Sequence, residues 1–287
     1  MTRFGLLRKT LREVRTSVIA VALVMSLMAA FVIVLYPQFE DSLAGFDEMG
    51  FYEGFLGEAG TFASPEGFLS AEFFSWIPLL LITVAIIGGT GTLAGEEAAG
   101  TLDLLLAQPI TRRRLVLEKA AGLSLALLMA ALLSLPGFVL GKLLVDFDIG
   151  YLRIVEAVLN MMPVTLLYLA LAIWGSAALP GRGAAAVVCI GAVVAAYFLN
   201  TVGAVVEVLE VPRKLSPFYW ADGSHVMLHG FDPLRAGGLL AVAAALLALA
   251  VLSFQRRDIA SGGRGISLTR LLRRQAPTPA PANPGAH

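Results

Sequence analysis

The fold is decided by apolar stretches such as Ser17–Tyr36, which reads SVIAVALVMSLMAAFVIVLY and contains no charged residue. A helix crosses about 30 Å of hydrocarbon with about 20 residues, because each residue adds about 1.5 Å along the axis. This stretch has that length. It is longer than the apolar part of a signal peptide, which runs to about 15 residues. We therefore predict a retained membrane-spanning helix.

Five further stretches have the length and the composition of a membrane helix. They are Trp76–Ala94, Ala120–Gly141, Ala157–Leu179, Ala184–Val206 and Gly237–Phe254. The whole chain is 57% hydrophobic and only 15% charged, with a mean hydropathy of +0.80, whereas a soluble domain has about 25% charged residues. The sequence therefore predicts an all-α integral membrane protein, with a domain of six transmembrane helices over residues 17–259.

The distribution of basic residues predicts the orientation of these helices. If both termini are cytoplasmic, sixteen of the 21 Lys and Arg residues lie on the cytoplasmic side, and five lie outside. The outer segment between Pro37 and Ser75 then contains eight carboxylates and no basic residue. Because cytoplasmic loops are enriched in Lys and Arg, we predict a multi-pass protein of the inner or plasma membrane with both termini in the cytoplasm.

The two ends of the chain differ from the apolar centre. In residues 1–16, apolar side chains recur at helical spacing while basic side chains take the other faces; the apolar ones are Phe4, Leu7, Leu11 and Val14. This pattern predicts an amphipathic interfacial helix that lies in the membrane plane before the chain turns inward; an ordinary basic flank is the alternative. Residues 260–287 are predicted to be a cytoplasmic tail, disordered where proline and alanine dominate its end.

The apolar cores offer little chemistry. None contains an Asp, Glu, Lys, Arg or His away from its ends, so an ion-coupled carrier is disfavoured, and any transport would draw its energy from outside the chain. Asn160 and Asn200 are the strongly polar residues well inside spans, and we expect hydrogen bonds between helices from them. No Walker A motif is present. His225 and His229 are four residues apart, but no third metal ligand is specified.

The segment between the second and third spans is different. Residues 95–114 read GEEAAGTLDLLLAQPITRRR. Thr101 suits an N-cap, Asp103 suits the positive end of a first helical turn, and Pro109 ends the helix. Four leucines of this short helix need burial. They could pack on the membrane surface or the base of the bundle, or they could dock into a groove of a soluble partner.

The run from Glu96 to Lys119 resembles the permease subunits of ABC-2-type ATP-binding-cassette transporters. The shared pattern is Glu-x₃-Gly-Thr-Leu-x-Leu-Leu-Leu-x₂-Pro-Ile-x-Arg-Arg-x-Leu. It is especially similar to the branch with bacitracin-resistance and copper-maturation permeases, in which a motif like Arg256-Arg257-Asp258-Ile259 is also usual.

The resemblance implies two permease halves, from the same or different chains, and two copies of a separate ABC ATPase subunit that carry the ATP and Mg. It implies no cofactor on this chain, contact with membrane lipid, and no nucleic acid. The short helix after the second span would be a cytoplasmic coupling helix that contacts the ATPase. The residues assigned to this contact are Glu96, Glu97, Gly100, Thr101, Leu102, Asp103, Leu104, Leu105, Leu106, Gln108 and Pro109. The segment from Glu207 to Arg235 would form short outer helices.

The function implied is that of a permease subunit of an ATP-driven exporter, which is not itself an enzyme. ATP-driven closure of the ATPases would move the coupling helices as levers and switch the pathway between two arrangements. The alternative is a membrane scaffold or sensor that transports nothing and recruits a cytoplasmic regulator. An embedded enzyme has no supporting set of residues.

Overall fold

Six helical segments are long and apolar enough to cross a membrane. The computed structural model describes residues 5–47, 64–101 and 111–256, with side chains from residue 7 to residue 39 in the first range. Every regular element in these ranges is helical, so the predicted all-α fold with six spans is confirmed. Spans 1 to 6 are Leu7–Phe39, Pro65–Ala98, Arg112–Leu144, Tyr151–Ala178, Arg182–Val202 and Pro233–Arg256.

Several spans are built from more than one helical piece. The α-helices are Gly5–Asp47, Pro65–Leu69, Ile77–Thr90, Glu96–Ala98, Arg112–Leu132, Leu135–Leu144, Tyr151–Ala178, Arg182–Val202, Glu210–Arg213, Pro217–Trp220, Gly223–His229 and Pro233–Arg256. Span 2 also contains two wider turns of π-helix. We call Ser70–Phe74 the first π-turn and Gly91–Gly95 the second π-turn.

The bundle has two ends. The end with the arginines at the start of spans 3 and 5 is called the basic end, and the second π-turn lies there. The opposite end is called the aromatic end. There the Tyr36 ring lies 5.2 Å from Phe147 and 5.5 Å from Phe68, measured between centroids. These rings join the ends of spans 1 and 3 to the start of span 2.

The interfacial helix predicted for residues 1–16 is not a separate element. One helix of 43 residues runs from Gly5 to Asp47 without a turn before span 1, because no glycine or proline interrupts residues 6–36. Its first turns pack along span 3: Thr10 is buried, and a Cβ added to Gly122 would lie 3.1 Å from the Thr10 side chain. Residues 5–16 are therefore continuous with the helix of span 1.

Proline explains two other differences from the predicted spans. The helix of span 1 continues through Pro37, as membrane helices tolerate. Span 3 is instead interrupted at Leu133 and Ser134, and a new helix begins with Pro136 in its first turn. This second piece packs closely on span 1, because a Cβ on Gly137 would lie 1.9 Å from the Ser26 carbonyl oxygen.

Span 4 is the centre of the bundle. In its most apolar window 78% of the residues are buried, against 11% in span 5 and 17% in span 6. Its Tyr168 belongs to a core cluster with Ile82 of span 2, Cys189 of span 5 and Leu239 of span 6. Spans 5 and 6 therefore cover one side of span 4 and turn most of their own surface outward.

Between spans 5 and 6 the chain forms a 3₁₀ turn and three short helices over Glu207–His229, as predicted. Other predictions fall outside the described residues. These are the coupling helix over residues 102–110, the acidic segment over 48–63, and the Arg257–Ile259 motif with the tail over 257–287. Residues Met1–Gln255 form one compact unit; of the second unit, Arg256–His287, the structure describes Arg256 alone.

Candidate functional site

The predicted site begins where span 2 ends. Gly100 has a φ of +68°, a conformation that glycine adopts without steric cost. The Gly100 N–H donates to the Glu97 carbonyl at 3.1 Å, and the Thr101 N–H donates to the Glu96 carbonyl at 2.9 Å. These two bonds form a Schellman motif, which closes a helix and fixes the direction of the departing chain. Span 2 therefore ends in a defined turn at Gly100 and Thr101.

A buried lysine holds this turn against span 3. The Lys119 Nζ donates to the Glu96 carboxylate at 2.6 Å and to the Thr92 carbonyl at 2.9 Å. Lys119 is only 7% exposed. The Thr101 hydroxyl donates to the same carboxylate and, at 3.2 Å, to the Glu96 carbonyl. Glu96 thus joins the end of span 2, the start of the departing segment and span 3.

The other predicted contact residues divide into two groups. Glu97 is exposed beside this turn. Residues Leu102, Asp103, Leu104, Leu105, Leu106, Gln108 and Pro109 lie outside the part of the chain that the structure describes. The N-cap that we predicted for Thr101 would bond N–H groups of that segment. At the far side of the segment, Thr111 caps span 3, and its hydroxyl accepts from the Arg114 N–H at 3.3 Å.

Span 4 holds the second π-turn with one serine. The Ser176 hydroxyl accepts from the Leu93 N–H at 3.1 Å and from the Ala94 N–H at 2.9 Å, and it donates to the Thr90 carbonyl at 3.1 Å. A widened turn displaces backbone groups from their usual partners, and buried backbone groups need replacements. Ser176 supplies the partners for three such groups.

Two arginines at the basic end also donate to backbone carbonyls of other spans. The Arg182 guanidinium donates to the Ile87 carbonyl of span 2 at 3.2 Å. Arg112 of span 3 donates to the Phe254 carbonyl of span 6 at 2.9 Å, with its guanidinium 5.4 Å from the centre of the Phe254 ring. All the spans from 2 to 6 are thus linked near the base of the departing segment.

Close packing accompanies these bonds. A Cβ on Gly89 would lie 2.6 Å from the Ala172 Cβ of span 4. Small residues at this position thus let spans 2 and 4 approach closely. Our sequence reasoning missed Lys119, which we counted only as a basic flank, and Ser176, which carried no signal because its partners are more than 80 residues away.

A cavity of about 310 Å³ lies at the aromatic end, between the first π-turn, span 5 and the short helices. Asn160, which is buried, and Asn200, which is half-buried, both bond to residues near this cavity. The Asn160 amide donates to the Ala221 carbonyl at 3.2 Å and to the Asp222 carbonyl at 3.4 Å. The Asn200 amide oxygen accepts from the Arg213 guanidinium at 3.2 Å. The predicted hydrogen bonds exist, but they reach the short helices between spans 5 and 6 and not another span.

The histidine pair lies near the same end. The His225 and His229 rings stack with centroids 4.8 Å apart, and the His225 Nε2 is 3.9 Å from the Asp232 carboxylate. The Arg235 and Leu234 N–H groups, with the Arg235 charge, lower the pKa of Asp232. No group of three metal-ligating side chains occurs within the described ranges.

A match to a known protein family identifies the class of this chain. No curated protein matches the chain. A family model described as "Multidrug efflux system permease Rv1217c, C-terminal domain" matches residues 4–255, which cover all six spans. The match supports an ABC-type permease family in general and not the narrower bacitracin and copper branch. The chain therefore belongs to the family of the multidrug efflux permease Rv1217c, C-terminal domain, and is a multi-pass membrane permease of the ABC transporter class.

Proposed function

We propose that this chain is the permease subunit of an ATP-driven exporter, and that residues 102–110 couple it to a separate ATPase. The observation that carries the proposal is the bonded frame around that segment. Its start is fixed by the Schellman motif at Gly100 and by the Glu96–Lys119 pair, and its end is fixed by the Thr111 cap. A segment that transmits force needs such fixed attachments at both ends.

The basic end is then the cytoplasmic end. Its arginines and Lys119 follow the usual enrichment of basic residues on the cytoplasmic side. Two ATPase copies would bind there, with the ATP and Mg, and a second permease half would complete the pathway. The narrower likeness to the bacitracin and copper branch rests on the Glu96–Lys119 and Arg256–Ile259 motifs and carries no part of the proposal.

The described contacts supply a route for movement. A displacement of residue 101 acts on Glu96 and, through Lys119, on span 3. The second π-turn passes the same displacement to span 4, because Ser176 bonds three of its backbone groups. Since packed helices shift as rigid bodies between discrete arrangements, the ATPase would move spans 2, 3 and 4 together. The direction is export, as in the efflux system that names the family.

Co-purification with the candidate ATPase tests the proposal. In the Leu105→Asp variant a carboxylate replaces an apolar group at the proposed contact, and we expect loss of most bound ATPase and of its hydrolytic activity in the preparation. The matched control is Leu215→Asp, because Leu215 is an exposed leucine at the aromatic end. The Leu215→Asp variant should retain both the bound ATPase and its hydrolytic activity.

Two results would reject the coupling assignment. One is equal ATPase binding by the Leu105→Asp and Leu215→Asp variants. The other is a wild-type chain that purifies without any ATPase, which would favour the scaffold or sensor function.

A further inference from the structure

The cavity at the aromatic end contains a buried hydroxyl group without a partner. Ser70, at the start of the first π-turn, is 5% exposed, and its Oγ makes no hydrogen bond within the described residues. Ser70 lines the cavity. A buried polar group left unbonded is costly, so a molecule in the cavity that reached this hydroxyl would gain a hydrogen bond.

Three charged residues line the cavity, and they differ in whether they already have bonding partners. Arg213 already bonds Asn200 and lies with its guanidinium 5.4 Å from the centre of the Tyr219 ring. The Asp222 carboxylate accepts from the Ser224 N–H at 2.9 Å and from the Ser224 hydroxyl at 2.7 Å. The third charged residue, Glu72, is exposed and has no ion pair among the described residues. A negative charge is therefore available to a ligand.

Aromatic rings make up much of the remaining wall. They belong to Phe74, Trp76, Tyr197 and Phe218. Tyr197 holds two of them together, with its centroid 6.2 Å from Trp76 and 5.5 Å from Phe218. Trp76 is 58% exposed, which leaves its ring open to a ligand. Aromatic faces attract cations, and tryptophan does so most strongly.

We propose that this cavity binds an amphipathic organic cation. Its positive group would lie between the Glu72 carboxylate and the Trp76 ring, its apolar body against Phe74 and Phe218, and a polar atom against the Ser70 hydroxyl. The volume of about 310 Å³ is at the lower end of the roughly 300–1,000 Å³ usual for small-molecule sites. The inference goes beyond the proposed export function and needs no ATPase.

The test uses two probes of the same shape and opposite charge, tetraphenylphosphonium and tetraphenylborate. Binding to the purified full chain in nonionic detergent is measured by equilibrium dialysis, with empty micelles subtracted. We expect saturable binding of the phosphonium, weakened about tenfold in Glu72→Gln. The matched control is Glu66→Gln, because Glu66 lies in the adjoining short helix and does not line the cavity. It should bind as the wild type does.

A second measurement locates the probe. Replacing Trp174 and Trp220 by phenylalanine leaves Trp76 as the single tryptophan, and the phosphonium should change its fluorescence at concentrations that saturate the dialysis signal. In the same background, Glu72→Gln should shift this change to about tenfold higher concentration. Equal phosphonium affinity in the Glu72→Gln and Glu66→Gln variants would overturn the proposal. So would equal binding of the borate, or no saturable binding at all.

Discussion

The two π-turns of span 2 have the same backbone distortion but different contacts with neighbouring helices. In the second π-turn, Ser176 of span 4 and Lys119 of span 3 bond the displaced backbone groups. In the first π-turn, the Ser70 hydroxyl has no partner within the described residues, and a cavity lies beside it. Aromatic rings do the packing there instead: Phe73 lies 4.9 Å from Phe138 of span 3 between ring centroids.

The π-turn at the basic end is therefore held by bonds from other spans, whereas the π-turn at the aromatic end borders an open cavity. A widened turn frees backbone groups and enlarges the local spacing of side chains. Where other spans supply polar partners, the turn becomes a rigid joint; where they supply rings, it leaves space that a ligand can occupy. Substitutions at the second π-turn should therefore destabilise the chain more than a substitution at the first.

The largest loss of stability should come from Lys119→Met. The variant keeps the apolar length of the side chain but leaves the Glu96 carboxylate without its 2.6 Å partner. Removing one member of a buried ion pair costs about 3 kcal/mol. We expect a lower thermal unfolding midpoint for the detergent-purified chain, and no change in Lys214→Met, an exposed lysine.

A double variant sharpens this test. Adding Glu96→Gln to Lys119→Met removes the unpaired charge and should restore more than half of the lost stability. A double variant less stable than Lys119→Met would show that the pair does not act as a charge pair.

Ser176→Ala should have the next largest effect. It removes the acceptor for the Leu93 and Ala94 N–H groups inside the bundle. Unsatisfied buried groups cost about 1–3 kcal/mol, so we expect a loss of about 2 kcal/mol in the same unfolding measurement. Ser75→Ala is the control from the first π-turn, because the Ser70 carbonyl keeps its bond from the Ser75 N–H. An equal loss in both variants would contradict the special role of Ser176 in holding the second π-turn.

Ser70→Ala should have the smallest effect. Its hydroxyl makes no bond to lose within the described residues, and an unbonded buried polar group is costly to keep. We expect no loss of stability, and a gain of at most about 1 kcal/mol. A loss as large as that of Ser176→Ala would show that Ser70 is bonded after all, and the two π-turns would then not differ.

The six spans could be predicted because apolar length is a local property of the sequence. The ends of the helices could not always be predicted, because a membrane helix can either continue through a proline or break before it. The chain runs through Pro37 without a break, yet a break precedes Pro136. The surroundings of the first turns could not be predicted either, because amphipathic spacing does not show that Thr10 packs against Gly122 of another span.

The candidate site was predictable only in part. Glu96, Gly100 and Thr101 stand in a recognisable motif, and the structure brings them together. The sequence gives no sign of the π-turns, because such turns depend on partners from distant parts of the chain. Lys119 reads as one more basic residue after three arginines, and Glu72 as one of eight carboxylates in an outer segment. Their distinct roles come from tertiary contacts.

The central position of span 4 has a consequence for synthesis. A ribosome makes the chain from the first residue onward, so Ser176 meets partners, Thr90, Leu93 and Ala94, that already exist when span 4 enters the membrane. Asn160 must wait for Ala221 and Asp222, which are made only after span 5. The basic end of span 4 can thus be secured during translation, one whole helix before the aromatic end is completed.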